Sequence, residues 1–156
     1  ETKKLQRLGL SAYFFLSGLC FSSWASRIPT IKDLFNLNDA QLGSILLVMP
    51  ISALLGTVAS GWLVSKFDSR EPLIGSFLLF SVSLIGISFV KSTFLLIVLL
   101  GLFSIFMRVL NIAINTQSIT LQEKFQKGIV GTFHAIWSFG GVAGVLFSTA
   151  MVKLGV

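Results

Sequence analysis

Six polar side chains, Ser104, Arg108, Asn111, Asn115, Ser118 and Gln122, recur every three or four residues in an otherwise apolar stretch. On a helix that spacing places all six on one face, while Leu110, Ile112, Ile114 and Ile119 fall elsewhere. Such a face can hydrogen-bond a solute through amides and hydroxyls and attract an anion through the guanidinium. In hydrocarbon it is unfavourable, so it must meet protein or a watery cavity. Arg108 lies near the middle of the run between Lys91 and Glu123, where a cation costs at least about 2.5 kcal/mol on insertion scales. Hydrogen bonds that merely glue helices together, each worth about 0.6 kcal/mol, would explain the Asn and Ser residues. The central guanidinium favours a cavity lining instead, with Arg108, Asn111 and Asn115 as binding candidates. The six acids, Glu1, Asp33, Asp39, Asp68, Glu71 and Glu123, fall in loops or at helix ends. A partner for Arg108 must then come from further sequence, from an anionic solute, or from water and carbonyls.

Two other sets of residues carry chemistry. His134 is the one titratable group in its apolar run, at a depth expected to match Asn115 across a short turn. That makes it a proton-relay candidate that hydrogen-bonds near Asn115. The competing reading is a structural histidine satisfied by a carbonyl. In the first run Tyr13, Ser17, Cys20 and Trp24 share a helix face. Tyr13, Ser17 and Trp24 are binding candidates there, although an aromatic stripe also serves packing. Enzyme signatures are missing: there is no HExxH, GxSxG, glycine-rich phosphate loop or pair of intramembrane aspartates. His134 and Ser138 lack a third group to orient them, and one His with one Cys builds no metal site. The expectation is no enzyme, no cofactor and no metal.

The elements that position these residues follow from where the charges fall. Of 156 residues, 54% are hydrophobic and only 12% charged, about half the charged share of a soluble domain. Long runs almost free of charge predict five membrane-spanning helices at about 8–28, 40–65, 72–90, 93–122 and 128–152, the fourth with Arg108 inside it. The fold class is therefore an all-α membrane protein. The lone Cys20 excludes a disulfide scaffold, and the composition excludes a disordered tail. The net charge of +6 is scattered between apolar blocks, which argues for membrane topology and against nucleic acid. Lys3, Lys4 and Arg7 precede an apolar run too long for a signal peptide, so that run reads as a retained first helix. With the N-terminus cytoplasmic, the inner side holds Lys3, Lys4, Arg7, Lys66, Arg70, Lys124 and Lys127. The outer side then holds only Arg27, Lys32, Lys91 and Lys153, and this bias sets the expected orientation.

The connections are short. Pro29 ends the first helix, Asn38 with Gln41 resembles a capping box, Pro50 should kink the second span, and Pro72 suits a first helical turn. Two small-residue series, Ser52-Gly56-Ser60 and Gly140-Gly144-Ser148, fit close helix packing. The third span offers only Ser and Gly among bulky residues and is expected to face lipid.

The segment from Gly61 to Arg70, GWLVSKFDSR, resembles the signature loop of the major facilitator superfamily, of form G-x-L-a-D-r-x-G-r-k. Gly61, Leu63, Lys66 and Arg70 fit, whereas Ser65 stands where the pattern has Asp and Asp68 where it has Gly. Trp24-Ala-Ser-Arg-Ile-Pro29 with Leu37 to Gly43, and Asn115-Thr-Gln117 with Phe133-His134 and Trp137-Ser138-x-Gly140, are similar to a bacterial branch related to fucose permease. The resemblance covers nearly the whole chain. It implies the N-terminal six-helix bundle of a twelve-helix transporter, with helices one and four lining the cavity, helix three facing lipid, and alternating access around a midplane site. The loop residues Gly61, Ser65, Lys66, Asp68 and Arg70 would then act in conformational switching, though Ser65 lacks the latch carboxylate. The branch often carries an acid where Asn111 stands, and Asn111 cannot ionise.

The expectation is an N-terminal portion, residues 1–156, of a secondary transporter moving a small polar solute, a sugar or related metabolite, with proton coupling as a further element. The chain begins at Glu1 rather than Met and reads as an excised piece without a sixth helix or a C-terminal half. Its partners would be the lipid bilayer, the missing C-terminal half or a second copy, and the solute. Its place would be the bacterial inner membrane. The alternative is a non-transporting half-protein that oligomerises through its small-residue faces.

Overall fold

A computed structural model describes residues 2–155, and every regular element among them is an α-helix. In chain order these are α1 Thr2–Ala25, α2 Ile28–Leu34, α3 Asp39–Leu46, α4 Val48–Lys66, α5 Arg70–Phe89, α6 Thr93–Phe125 and α7 Val130–Lys153. Five helical stretches are long and apolar enough to cross a membrane: Thr2–Leu34, Asp39–Lys66, Arg70–Phe89, Thr93–Phe125 and Val130–Lys153. Their outward surfaces carry what lipid would cover. On α4 Ile51, Leu54, Leu55, Val58 and Trp62 are exposed, and on α7 so are Phe139, Val142 and Leu146. In water such contiguous apolar patches would be an aggregation liability.

Local chemistry sets the breaks. The chain leaves α1 after Ala25, and Pro29 does not end that helix but sits in the first turn of α2, where its missing N–H costs nothing. Asn36, at a φ of 51°, turns the chain after α2, as Asn tolerates the left-handed region. The Asn38 carboxamide accepts from Gln41 N at 2.9 Å, and the Gln41 side chain accepts from Asn38 N at 3.0 Å, a complete capping box. Pro50 acts three residues upstream of itself. It cannot donate to Leu46, and the helix is interrupted at Leu47 between α3 and α4.

The described chain forms two compact units. One comprises the residues up to Ile28 and those from Ile114 onward. Its axis is α1 against α7. Phe14 stacks on Phe133 with ring centroids 5.2 Å apart, and both rings are buried. The helices meet backbone to backbone at Gly140: a Cβ there would collide with the Phe15 carbonyl oxygen and lie 2.9 Å from its carbon. Gly144 meets the Leu19 carbonyl in the same way one turn on. The last turn of α6 joins this unit through Lys3 Nζ, which donates to the Lys124 carbonyl at 3.1 Å, a cation at a helix C-terminus.

The second unit comprises residues Pro29 to Ala113. Here Phe80 of α5 stacks on Phe103 of α6 at 4.7 Å, with both rings buried. The third span is not lipid-facing all round. Pro72, Leu73, Ser76, Phe80, Ser83 and Ile87 form a buried stripe on α5, while Leu78, Leu79, Val82, Ile85 and Phe89 stay exposed. The buried serines satisfy their hydroxyls on their own helix, Ser76 on the Leu73 carbonyl and Ser83 on the Leu79 carbonyl.

Candidate functional site

The polar face of α6 divides once its partners are known. Ser104 is buried and donates to the Met49 carbonyl of α4 at 2.6 Å. Ser118 is fully buried and returns its proton to the Asn115 carbonyl at 2.8 Å. The Gln122 carboxamide oxygen accepts from the backbone N–H groups of Ile129 and Val130 at 2.9 and 3.2 Å, and so caps the start of α7. These three residues hold the fold together. Of the other three residues of the series, Arg108 is exposed and Asn111 and Asn115 are half-buried.

Arg108 sits near the middle of a 33-residue helix. Its Nε donates to Thr57 Oγ1 of α4 at 2.9 Å. The helices come close enough for this because position 56 is glycine. A Cβ on Gly56 would stand 2.8 Å from the Ile105 carbonyl oxygen and 2.9 Å from Arg108 Cβ. Ser52, Gly56 and Ser60 are all buried on α4, so this small-residue face is occupied within the chain. Thr57 escaped the sequence reading, because an isolated Thr in an apolar run carries no signal until the facing residue is known.

On α1 the candidates differ from one another. Tyr13 is half-buried. Ser17 is buried and donates to the Phe14 carbonyl at 3.0 Å. Trp24 is buried, with Phe21 at 6.4 Å between centroids. His134 of α7 is exposed. The ring meets Phe14 edge-on at 5.5 Å, and its backbone carbonyl accepts from Ser138 Oγ at 3.1 Å.

The segment Gly61 to Arg70 lies across the end of α4 and the start of α5. Ser65 Oγ donates to the Trp62 carbonyl at 2.8 Å within its own helix. The Lys66 ammonium lies 4.7 Å from the Trp62 ring centroid and 5.7 Å from that of Phe67. Asp68 accepts from Ser69 Oγ at 3.5 Å, and Gly61 and Arg70 are exposed. Lys66 is thus held by aromatic faces. Trp62 and Phe67 were also missed by sequence reading, which looked for a carboxylate. Among the described residues no group of three or more His, Cys, Asp or Glu side chains is placed to hold a metal ion.

Membrane-length helices with exposed apolar flanks and a polar face on one of them define a multi-pass membrane protein. Residues 10–155 match the sequence profile of the Major Facilitator Superfamily, and the chain belongs to that family. It is 32% identical over 144 residues to the membrane protein MosC of Rhizobium meliloti, covering 92% of this chain and 35% of that protein. It is 28% identical over 152 residues to an uncharacterized MFS-type transporter of Yersinia pestis, covering 96% and 39%. An uncharacterized transporter of Sinorhizobium fredii is 27% identical over 136 residues, covering 87% and 36%. The chain therefore spans 35 to 39% of the length of these relatives. No solved structure matches it.

Proposed function

We propose that this chain is the N-terminal portion of a secondary transporter that moves a small polar solute, a sugar or related metabolite, by alternating access. The observation that carries the reading is Arg108, an exposed cation near the centre of a membrane-length helix, held at one nitrogen by Thr57. A buried structural role would not leave the group exposed, and a lipid-facing position would carry the full insertion cost. Arg108, Asn111 and Asn115 are the proposed solute contacts on α6, and Tyr13 is a separate candidate on α1. Ser17 and Trp24, being buried, would act by supporting α1 rather than by touching solute. His134 is the proposed proton relay, since Asn111 cannot ionise.

Within the superfamily we place the chain with the branch related to fucose permease, in a bacterial inner membrane with the N-terminus cytoplasmic. The remaining helices come from the rest of a longer chain. The small-residue faces that would support self-association are occupied internally, Gly140 against Phe15 and Gly56 against Ile105. The test is uptake by proteoliposomes containing the full-length gene product, against a panel of radiolabelled neutral and acidic sugars. Uptake above empty vesicles for at least one member is expected. A correctly inserted protein that moves no member of the panel overturns the reading.

A further inference from the structure

Thr57 gives Arg108 its direction. The threonine hydroxyl donates to the Ala53 carbonyl at 3.0 Å, one turn back on α4. Its single proton is then committed, and its lone pairs are what Arg108 Nε meets at 2.9 Å. Gly56, the preceding residue, lets the α4 backbone press against Ile105 and against the stem of Arg108. The side chain is therefore fixed at Cβ by packing and at Nε by a hydrogen bond.

A guanidinium has five N–H donors in a planar fork, of which Thr57 takes one. The four donors on the terminal nitrogens meet no acceptor among the described residues, and the group is exposed. Two parallel N–H groups match the two oxygens of a carboxylate or phosphate. A neutral hydroxyl satisfies fewer of them and leaves the charge unbalanced. Between the two anions, charge decides. Among the described residues of this unit Lys32, Lys66, Arg70 and Lys91 lie at or beyond helix ends, so Arg108 is the one cation inside a span there, and it balances a monoanion rather than a phosphate dianion.

We propose that Arg108 is a carboxylate-binding group positioned by Thr57, so that the solute bears one carboxylate beside its hydroxyls, as a sugar acid does. The inference rests on the transporter reading above and narrows its substrate class. The test uses the full-length gene product in detergent with phenylglyoxal, which condenses with terminal guanidinium nitrogens, and peptide mass spectrometry to read each arginine. Gluconate, glucuronate and galacturonate are compared with glucose, galactose and glucitol. At about ten times its dissociation constant, a bound acid is expected to slow labelling of Arg108 about tenfold, by mass action. The neutral probes should not. Thr57→Ser should keep the protection and Thr57→Val should lose it, which a purely structural role for Thr57 would not produce. Equal labelling with and without every acid overturns the inference in the unmodified protein, whatever the variants do. If that result comes with uptake of a neutral sugar, the transporter reading stands alone; if nothing is taken up, both fall.

Discussion

Gly56→Ala tests the contact that positions Arg108. Two opposed effects follow from one methyl group. Replacing Gly by Ala inside a helix normally stabilises it by about 1 kcal/mol through backbone entropy. Here the new Cβ would stand 2.8 Å from the Ile105 carbonyl oxygen and 2.9 Å from Arg108 Cβ, and the first of these is backbone, which cannot rotate away. Restoring ordinary van der Waals separation requires α4 and α6 to part by about 0.6 Å. The Arg108–Thr57 hydrogen bond, now 2.9 Å, would stretch to about 3.5 Å and be lost. Overpacking of this kind costs about 1–3 kcal/mol and outweighs the propensity gain. Gly61, on the same helix with open space around its β-carbon, is the internal control, where Ala should be neutral or stabilising by up to about 1 kcal/mol. The assay is thermal unfolding of the detergent-solubilised protein for the wild type, Gly56→Ala and Gly61→Ala, side by side. Gly56→Ala should melt below both others. If it melts with Gly61→Ala, the close approach of α4 and α6 is not real and the placement of Arg108 fails with it.

Gly140→Ala should destabilise at least as much, because its Cβ would run into the Phe15 backbone and separate α1 from α7, unstacking Phe14 from Phe133; the same melting assay reads it. Gln122→Leu removes the acceptor that caps Ile129 and Val130, which should cost about 1 kcal/mol and raise amide hydrogen exchange in the first turn of α7 while leaving α1 unchanged. His134→Gln should flatten the pH dependence of uptake by the full-length protein; an unaltered profile would remove His134 from any proton path. Single cysteines in a Cys20→Ser background, at Asp68 and at Asn36, should react with a membrane-impermeant maleimide on opposite faces, with position 36 labelled from outside. Labelling of position 68 from outside would reverse the orientation inferred from the lysine and arginine distribution.

The helices were legible because lipid admits few alternatives: a long uncharged run must satisfy its own backbone, so its length reveals the span. The capping box was legible for a related reason, since Asn38 and Gln41 act on each other's backbone within four residues. Pro50 was legible in kind but not in place, because the clash and the lost donor act on the preceding turn and break the helix at Leu47. The buried stripe of α5 was not legible. Ser76 and Ser83 carry the same letters as lipid-facing serines, and only the neighbouring Phe103 shows which face is inward. For His134 depth along two helices fixes height but not rotation, and the contact of its ring edge-on with Phe14 was therefore not legible.

The polar face of α6 shows how a single periodicity can carry two purposes. Ser104, Ser118 and Gln122 have few polar groups to satisfy, and a backbone carbonyl or N–H pair one helix or one turn away suffices. Any helical protein supplies such partners, so the hydroxyls of Ser104 and Ser118 and the amide oxygen of Gln122 are satisfied within this chain. Arg108 differs in arithmetic. One hydroxyl takes one of its five donors and none of its charge. The group thus stays electrically and geometrically unfinished at the depth where an unfinished cation costs most. Periodicity places a residue on a face; on the proposed reading, the number of donors left over after the fold has taken its share is what marks Arg108 as the solute contact.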